Sequence, residues 1–175
     1  MTMVVAAADP EVAAATLTVH LDALWASGRP GANGWKRFPL DPLRWMVVMP
    51  AQTLAGERTH FFVRLDGRAY DRLPVDVAFV DPSDWEPATG GRWWPLVDPA
   101  VPAPRQSWFG LHPAYNFAGT GPRQLICFSF TLGYYESNHT PAEAERWRHG
   151  HHTVAATLNR LAEILSPAHF RGVAS

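Results

Sequence analysis

LHPAYNFAGTGPRQLICFSFTLGYYE, residues 111–136, is the stretch whose reading decides this fold. Its first half, 112–123, carries Pro113, Asn116, Gly119, Gly121 and Pro122 and reads as a turn-rich loop. Its second half, 124–134, is the most strand-like run in the chain. Along it Ile126, Phe128, Phe130 and Leu132 point one way, and Leu125, Cys127, Ser129 and Thr131 the other. The only cysteine, Cys127, stands where loop and strand meet. It lies opposite the aromatic stripe, where a nucleophilic thiol could be reached. Its bland reading is a small core residue, since free cysteine is among the most buried types.

Upstream, 43–49, 59–65 and 75–80 alternate apolar and polar residues with short links, which predicts an antiparallel meander. Asp9-Pro10 starts a helix that places Leu17, Leu21, Leu24 and Trp25 on one face. Gly28 ends it, and Pro30, Gly31 and Gly34 form a loop. The segment 81–106 holds six prolines with Trp85, Trp93 and Trp94, so no period survives there. Its tryptophans predict a loop packed on the sheet or its edge, either as cover or as a partner-binding edge.

Downstream, Thr140-Pro141-Ala142-Glu143 has the form of a capping box and predicts a short helix to about Arg148. Val154, Leu158, Leu161 and Leu165 mark a second helix, ended by Ser166-Pro167. No strand signal follows Glu136. The expectation is α+β: a four-stranded antiparallel meander sheet with an N-terminal helix and C-terminal helices packed against it.

Composition narrows the classes. The 175 residues suit a single domain over 1–175, with its core over about 10–166. Fifteen Lys and Arg against sixteen Asp and Glu give no basic excess, so a nucleic-acid partner is not expected. A lone cysteine makes no internal disulfide, and no window suits a membrane span or a signal peptide. These features point to the cytoplasm. The Ala, Arg, Pro and Trp bias suits a high-GC bacterial genome.

Three groups could carry chemistry. Cys127 is the nucleophile candidate, and Asn116 offers an amide to a developing oxyanion. His112 and Pro113 stiffen the preceding loop, and a histidine could in principle activate the thiol. Finally His139, His149 and His152 could bind zinc, His149 and His152 sharing a face if that stretch is helical. A solvated helix start is the simpler reading of those histidines.

The order of elements and the central residues resemble the ubiquitin-conjugating enzymes, and more closely their divergent bacterial relatives. The likeness spans roughly 11–165. His112-Pro113-x-x-Asn116 resembles the family's His-Pro-Asn signature, and Gly121 followed by Ile126-Cys127 its Gly-x-Ile-Cys. Residues 70–74 resemble its Tyr-Pro-x-x-Pro-Pro link with only Pro74 kept. Two residues separate His-Pro from Asn, and Trp147 is the only distant counterpart of the family's tryptophan after the cysteine.

The resemblance implies a UBC-like fold and a transferase. Cys127 would accept a ubiquitin-like protein as a thioester and pass it to a target amine, with Asn116 stabilising the oxyanion and His112 and Pro113 holding the loop. It implies no bound cofactor, and as partners an activating enzyme, a ubiquitin-like modifier and a protein target. The alternatives are a non-catalytic UBC-like scaffold that binds such a modifier, and a histidine-dependent metal protein or hydrolase.

Overall fold

The computed structural model describes residues 8–98 and 109–174. Asp9 caps helix α1 (Pro10–Ala26), its carboxylate accepting the N–H groups of Glu11 and Val12 at 3.0 and 3.1 Å. Ala13, Leu17, Leu21 and Leu24 form its buried stripe, as expected. Gly28 takes the left-handed conformation, φ 75°, that ends the helix. The loop expected beyond it holds one further helical turn, α2 (Arg29–Ala32).

Strands β1 (Lys36–Pro39), β2 (Arg44–Gln52), β3 (Arg58–Asp66) and β4 (Asp76–Val80) make a four-stranded antiparallel sheet in chain order. Val47 faces Val63 and Val63 faces Phe79, so one apolar row runs across three strands. The meander is present, but its fourth strand is β1 rather than the 124–134 run. The sequence of β1 has no alternation to announce it. Tertiary contacts hold it: the Arg37 guanidinium lies over Trp25 and Trp45, 4.7 and 5.2 Å from the ring centroids, and pairs with Asp22 at 2.6 Å. As an edge strand it tolerates Pro39.

The turn from β3 to β4 passes close to α1 because Gly67 has no side chain. A Cβ there would sit 2.8 Å from Leu17 Cδ2 and 3.3 Å from the Leu43 carbonyl. Tyr70 beyond it is buried; its hydroxyl accepts the Val154 N–H at 2.9 Å and meets His20 Nδ1 at 2.6 Å.

Trp85 and Trp93 hold residues 85–93 against the outer face of the sheet, as the tryptophans predicted, and the chain then passes to the core side. Trp85 packs edge-on against Phe38 and Phe62, centroids 6.2 and 5.7 Å away, and Trp93 against Phe62 at 5.5 Å. Trp93 is half-buried, and Trp94 is buried against Phe79 in the core. Residues 99–106 of the expected loop fall outside the described residues. Within this segment β5 (Pro95–Val97) pairs antiparallel with β8 (Phe170–Val173), a strand the sequence did not announce. β8 is fixed by its burial: Phe170 is buried, its ring 5.7 Å from Phe61.

The central stretch departs most from expectation. Residues 112–123 are not an open loop. They form most of a hairpin of β6 (Gly110–Phe117) and β7 (Gly121–Cys127). The turn signals act only at its tip, where Gly119 and Gly121 have φ of 85° and 77°. Pro113, which has no N–H to give a ladder, sits in the register shift between His112 and Tyr115. The 124–134 strand stops at Cys127. Thr131 Oγ1 donates to the carbonyls of Ile126 and Phe128 at 2.6 and 3.0 Å, acceptors that a continuing strand would offer to a neighbour. The chain then turns into helix α3 (Leu132–Glu136).

The helix expected from the capping box is only a 3₁₀ turn, Glu143–Glu145, and no side chain caps it. Trp147 dictates this path. Its N–H donates to the Tyr135 hydroxyl and its indole to the Asp71 carbonyl, each at 2.8 Å. Helix α4 (Val154–Ile164) follows, with Val154, Leu158, Leu161 and Ile164 fully buried. These elements share one core with α1 and the inner face of the sheet, which makes the protein α+β. Among the described residues no helix is long and apolar enough to cross a membrane.

Candidate functional site

The Gln124 side chain docks the hairpin to the edge of β4. The Phe79 N–H donates to Gln124 Oε1 at 2.7 Å, and Gln124 Nε2 donates to the carbonyls of Phe79 and Ala88 at 2.9 and 2.8 Å. The carboxamide therefore does what a neighbouring strand's peptide group would do. Around it four charges join three elements. Arg68 pairs with Asp76 at 2.9 Å and Glu136 at 3.1 Å, and Arg123 pairs with Asp76 at 3.3 Å and with Glu136. The end of β7 is thus held on a rigid base.

Cys127 closes β7 opposite Gly110. The expectation that it faces the accessible side is corrected: Leu125, Ile126, Cys127 and Phe128 are 1, 2, 0 and 1 % exposed. Both faces of this strand are covered, so alternation could not distinguish them. Polar groups nevertheless touch the thiol. Sγ lies 4.0 Å from His139 Nδ1. Ser137 Oγ is 2.8 Å from the same Nδ1 and donates to the Tyr134 carbonyl at 3.0 Å. The His139 ring rests on Tyr134, centroids 5.0 Å apart. Ser137 and His139 are half-buried and Asn138 between them is exposed, at φ 63°. The cysteine therefore lies one side chain beneath the surface, under a turn.

Burial pushes the Cys127 thiol up to about 11, and the nearby Ser137 hydroxyl opposes that shift. The linkage has a definite sign. Below the ordinary thiol value of 9.0 both folded and unfolded states are protonated and stability is unaffected. Above it the unfolded chain loses its proton first, so stability falls as pH rises from about 9 through about 11. Urea titrations at a series of alkaline pH values should show this decline in the wild type, and a shallower one in Cys127→Ala. Parallel declines would contradict burial of the thiol.

The other expected site residues are not gathered here. Asn116 pairs with Pro122, five residues from Cys127. At ~3.3 Å per residue that is about 17 Å along the strand. Its side chain is exposed near the hairpin tip, so it does not reach Cys127 as an oxyanion donor. The reason is that the segment taken for a loop is a strand, which carries the chain away from the thiol. His112 pairs with Leu125, nearer to Cys127, and contacts Tyr115 at 5.6 Å. Pro113 occupies the irregularity in the ladder.

The three histidines considered for zinc have separate partners. His149 Nε2 meets Asp71 at 3.0 Å, His152 Nδ1 accepts the Arg148 N–H at 2.9 Å, and His139 lies at Cys127. No group of three His, Cys, Asp or Glu side chains suited to a metal ion occurs among the described residues. The pairing of His139 with Cys127 was not legible in the sequence. They are twelve positions apart with a turn and a short helix between them, and no motif marks the contact.

Compared with known proteins, the chain matches no family model and no curated protein.

Proposed function

We propose that the protein has a UBC-like fold and is a ubiquitin-conjugating-like transferase of the bacterial cytoplasm. It carries a ubiquitin-like protein as a thioester on Cys127 and passes it to a target amine. The observation that carries this reading is the setting of the only cysteine. Cys127 ends a rigidly docked strand, touches polar groups and lies beneath a two-ended turn whose residues already reach solvent. The element order of helix, meander, central hairpin and C-terminal helix supports it. On this reading the covered thiol becomes accessible when the activating enzyme presents its thioester. An Asn116 oxyanion role does not form part of it.

A second reading is favoured by one observation, the complete burial of Cys127. A protein of the same fold that binds a ubiquitin-like modifier without carrying it would need no accessible thiol. The two readings separate in one experiment. The purified protein is mixed with an activating enzyme and ubiquitin-like modifier encoded beside it, and with ATP. Wild type should form an adduct that reductant removes, Cys127→Ser an oxyester that reductant spares, and Cys127→Ala none. A labile adduct on Cys127→Ala, or none on the wild type, would replace the transferase by the binding protein.

A further inference from the structure

We infer that His139 is the general base for Cys127, receiving the thiol proton at Nδ1 directly or through the Ser137 hydroxyl. This rests on the proposed thioester role of Cys127. The geometry is that of a cluster: Sγ lies 4.0 Å from Nδ1, and Ser137 Oγ lies 2.8 Å from the same atom. The nearest carboxylate in the chain, Glu136, is held by Arg68 and Arg123 and so is not disposed to take the proton. His139 is half-buried while the cysteine is covered, so solvent reaches the imidazole first. A proton taken there can leave.

The cluster has two hydrogen-bonding states. With Nδ1 protonated, His139 donates to Ser137, which donates to the Tyr134 carbonyl at 3.0 Å. With Nδ1 unprotonated, its lone pair is open to the Ser137 hydroxyl and to the thiol. Only the second state is poised for attack. The ring is held for it by Tyr134, against which it stacks at 5.0 Å with an interplanar angle of 32°.

The step balances as follows. Cys127 Sγ forms a bond to the carbonyl carbon of the incoming thioester while its proton passes to Nδ1. The tetrahedral intermediate collapses by breaking the bond to the activating enzyme's sulfur. The imidazolium returns the proton to that leaving thiolate. No oxidant, metal or further reactant is consumed. A general base also answers the chief difficulty of this site. A thiol held protonated by its surroundings is a poor nucleophile unless its proton is removed as the new bond forms.

The test uses iodoacetamide on the intact protein together with thioester loading. Wild type should alkylate at Cys127 with a rate that rises with pH through an inflection. His139→Gln should abolish that inflection and lower loading by roughly a hundredfold or more, as loss of a positioned base does. Imidazole added to His139→Gly should restore part of the rate, which a merely structural role would not allow. Ser137→Ala should retain the inflection at a reduced rate. Loading of His139→Gln at the wild-type rate, with the wild-type pH profile, would overturn the base while leaving Cys127 as the carrier. Alkylation of wild type only at the rate of global unfolding, with no loading, would overturn both.

Discussion

Gln124→Ala is expected to destabilise the protein by about 3–5 kcal/mol, although it removes a polar side chain rather than a core hydrocarbon. The side chain is 7 % exposed and makes three hydrogen bonds to backbone groups on and beside β4. Truncation leaves the Phe79 N–H and the Ala88 carbonyl without that partner. The Phe79 carbonyl keeps the Ala88 N–H at 2.9 Å. Each buried group left unsatisfied costs about 1–3 kcal/mol, and the vacated volume adds to it. Gln124→Met separates these contributions, because it keeps most of the volume and loses every hydrogen bond. It should remain nearly as damaging as alanine. Urea unfolding followed by tryptophan fluorescence gives the values. A loss under about 1 kcal/mol for both variants would mean that packing and the Arg123 ion pairs dock the hairpin without Gln124.

Trp147→Ala should cost a comparable amount, about 3–5 kcal/mol, for a different reason. Trp147 is 5 % exposed and anchors a long connection that has no regular structure beyond one 3₁₀ turn. Its ring lies 6.1 Å from Tyr70, 6.4 Å from Phe130 and 5.7 Å from His152. Its indole N–H satisfies the Asp71 carbonyl at 2.8 Å. Alanine removes the ring contacts and leaves that carbonyl unpaired. Phenylalanine keeps most of the contact and should cost only about 1–2 kcal/mol. Thermal unfolding of the two variants measures the difference. Hydrogen exchange in 140–153 should rise in Trp147→Ala well before the sheet is affected, because the connection depends on this one side chain. Equal exchange in the wild type and Trp147→Ala would show that other contacts fix the segment.

These two residues also mark where sequence reasoning reaches its limit. Gln124 reads as a polar residue at a strand start, and nothing in its neighbours reveals that it completes the edge of β4. Trp147 reads as the end of a short helix. The capping-box pattern is a local preference worth a few kcal/mol at most, and burying an indole outweighs it.

The sequence by itself determined the elements whose signals repeat within a few residues. The Asp9-Pro10 start, the Leu17-Leu21-Leu24 stripe, the alternation in β2, β3 and β4 and the apolar face of α4 all survive, because each pattern states which face is buried. The placing of Trp85 and Trp93 on the sheet follows from the cost of leaving indoles in water. Only the tertiary structure decided the rest. β1 and β8 are strands because distant partners pair with them, and β6 is a strand because β7 lies beside it. Cys127 is covered because elements meet on both faces of β7, which no period along one strand can record. Asn116 is removed from it, and His139 brought to it, by where the chain turns: at Gly119 in one direction and at Thr131 in the other. Those turns depend on hydrogen bonds and packing partners from elsewhere in the chain, and local pattern carries no information about them.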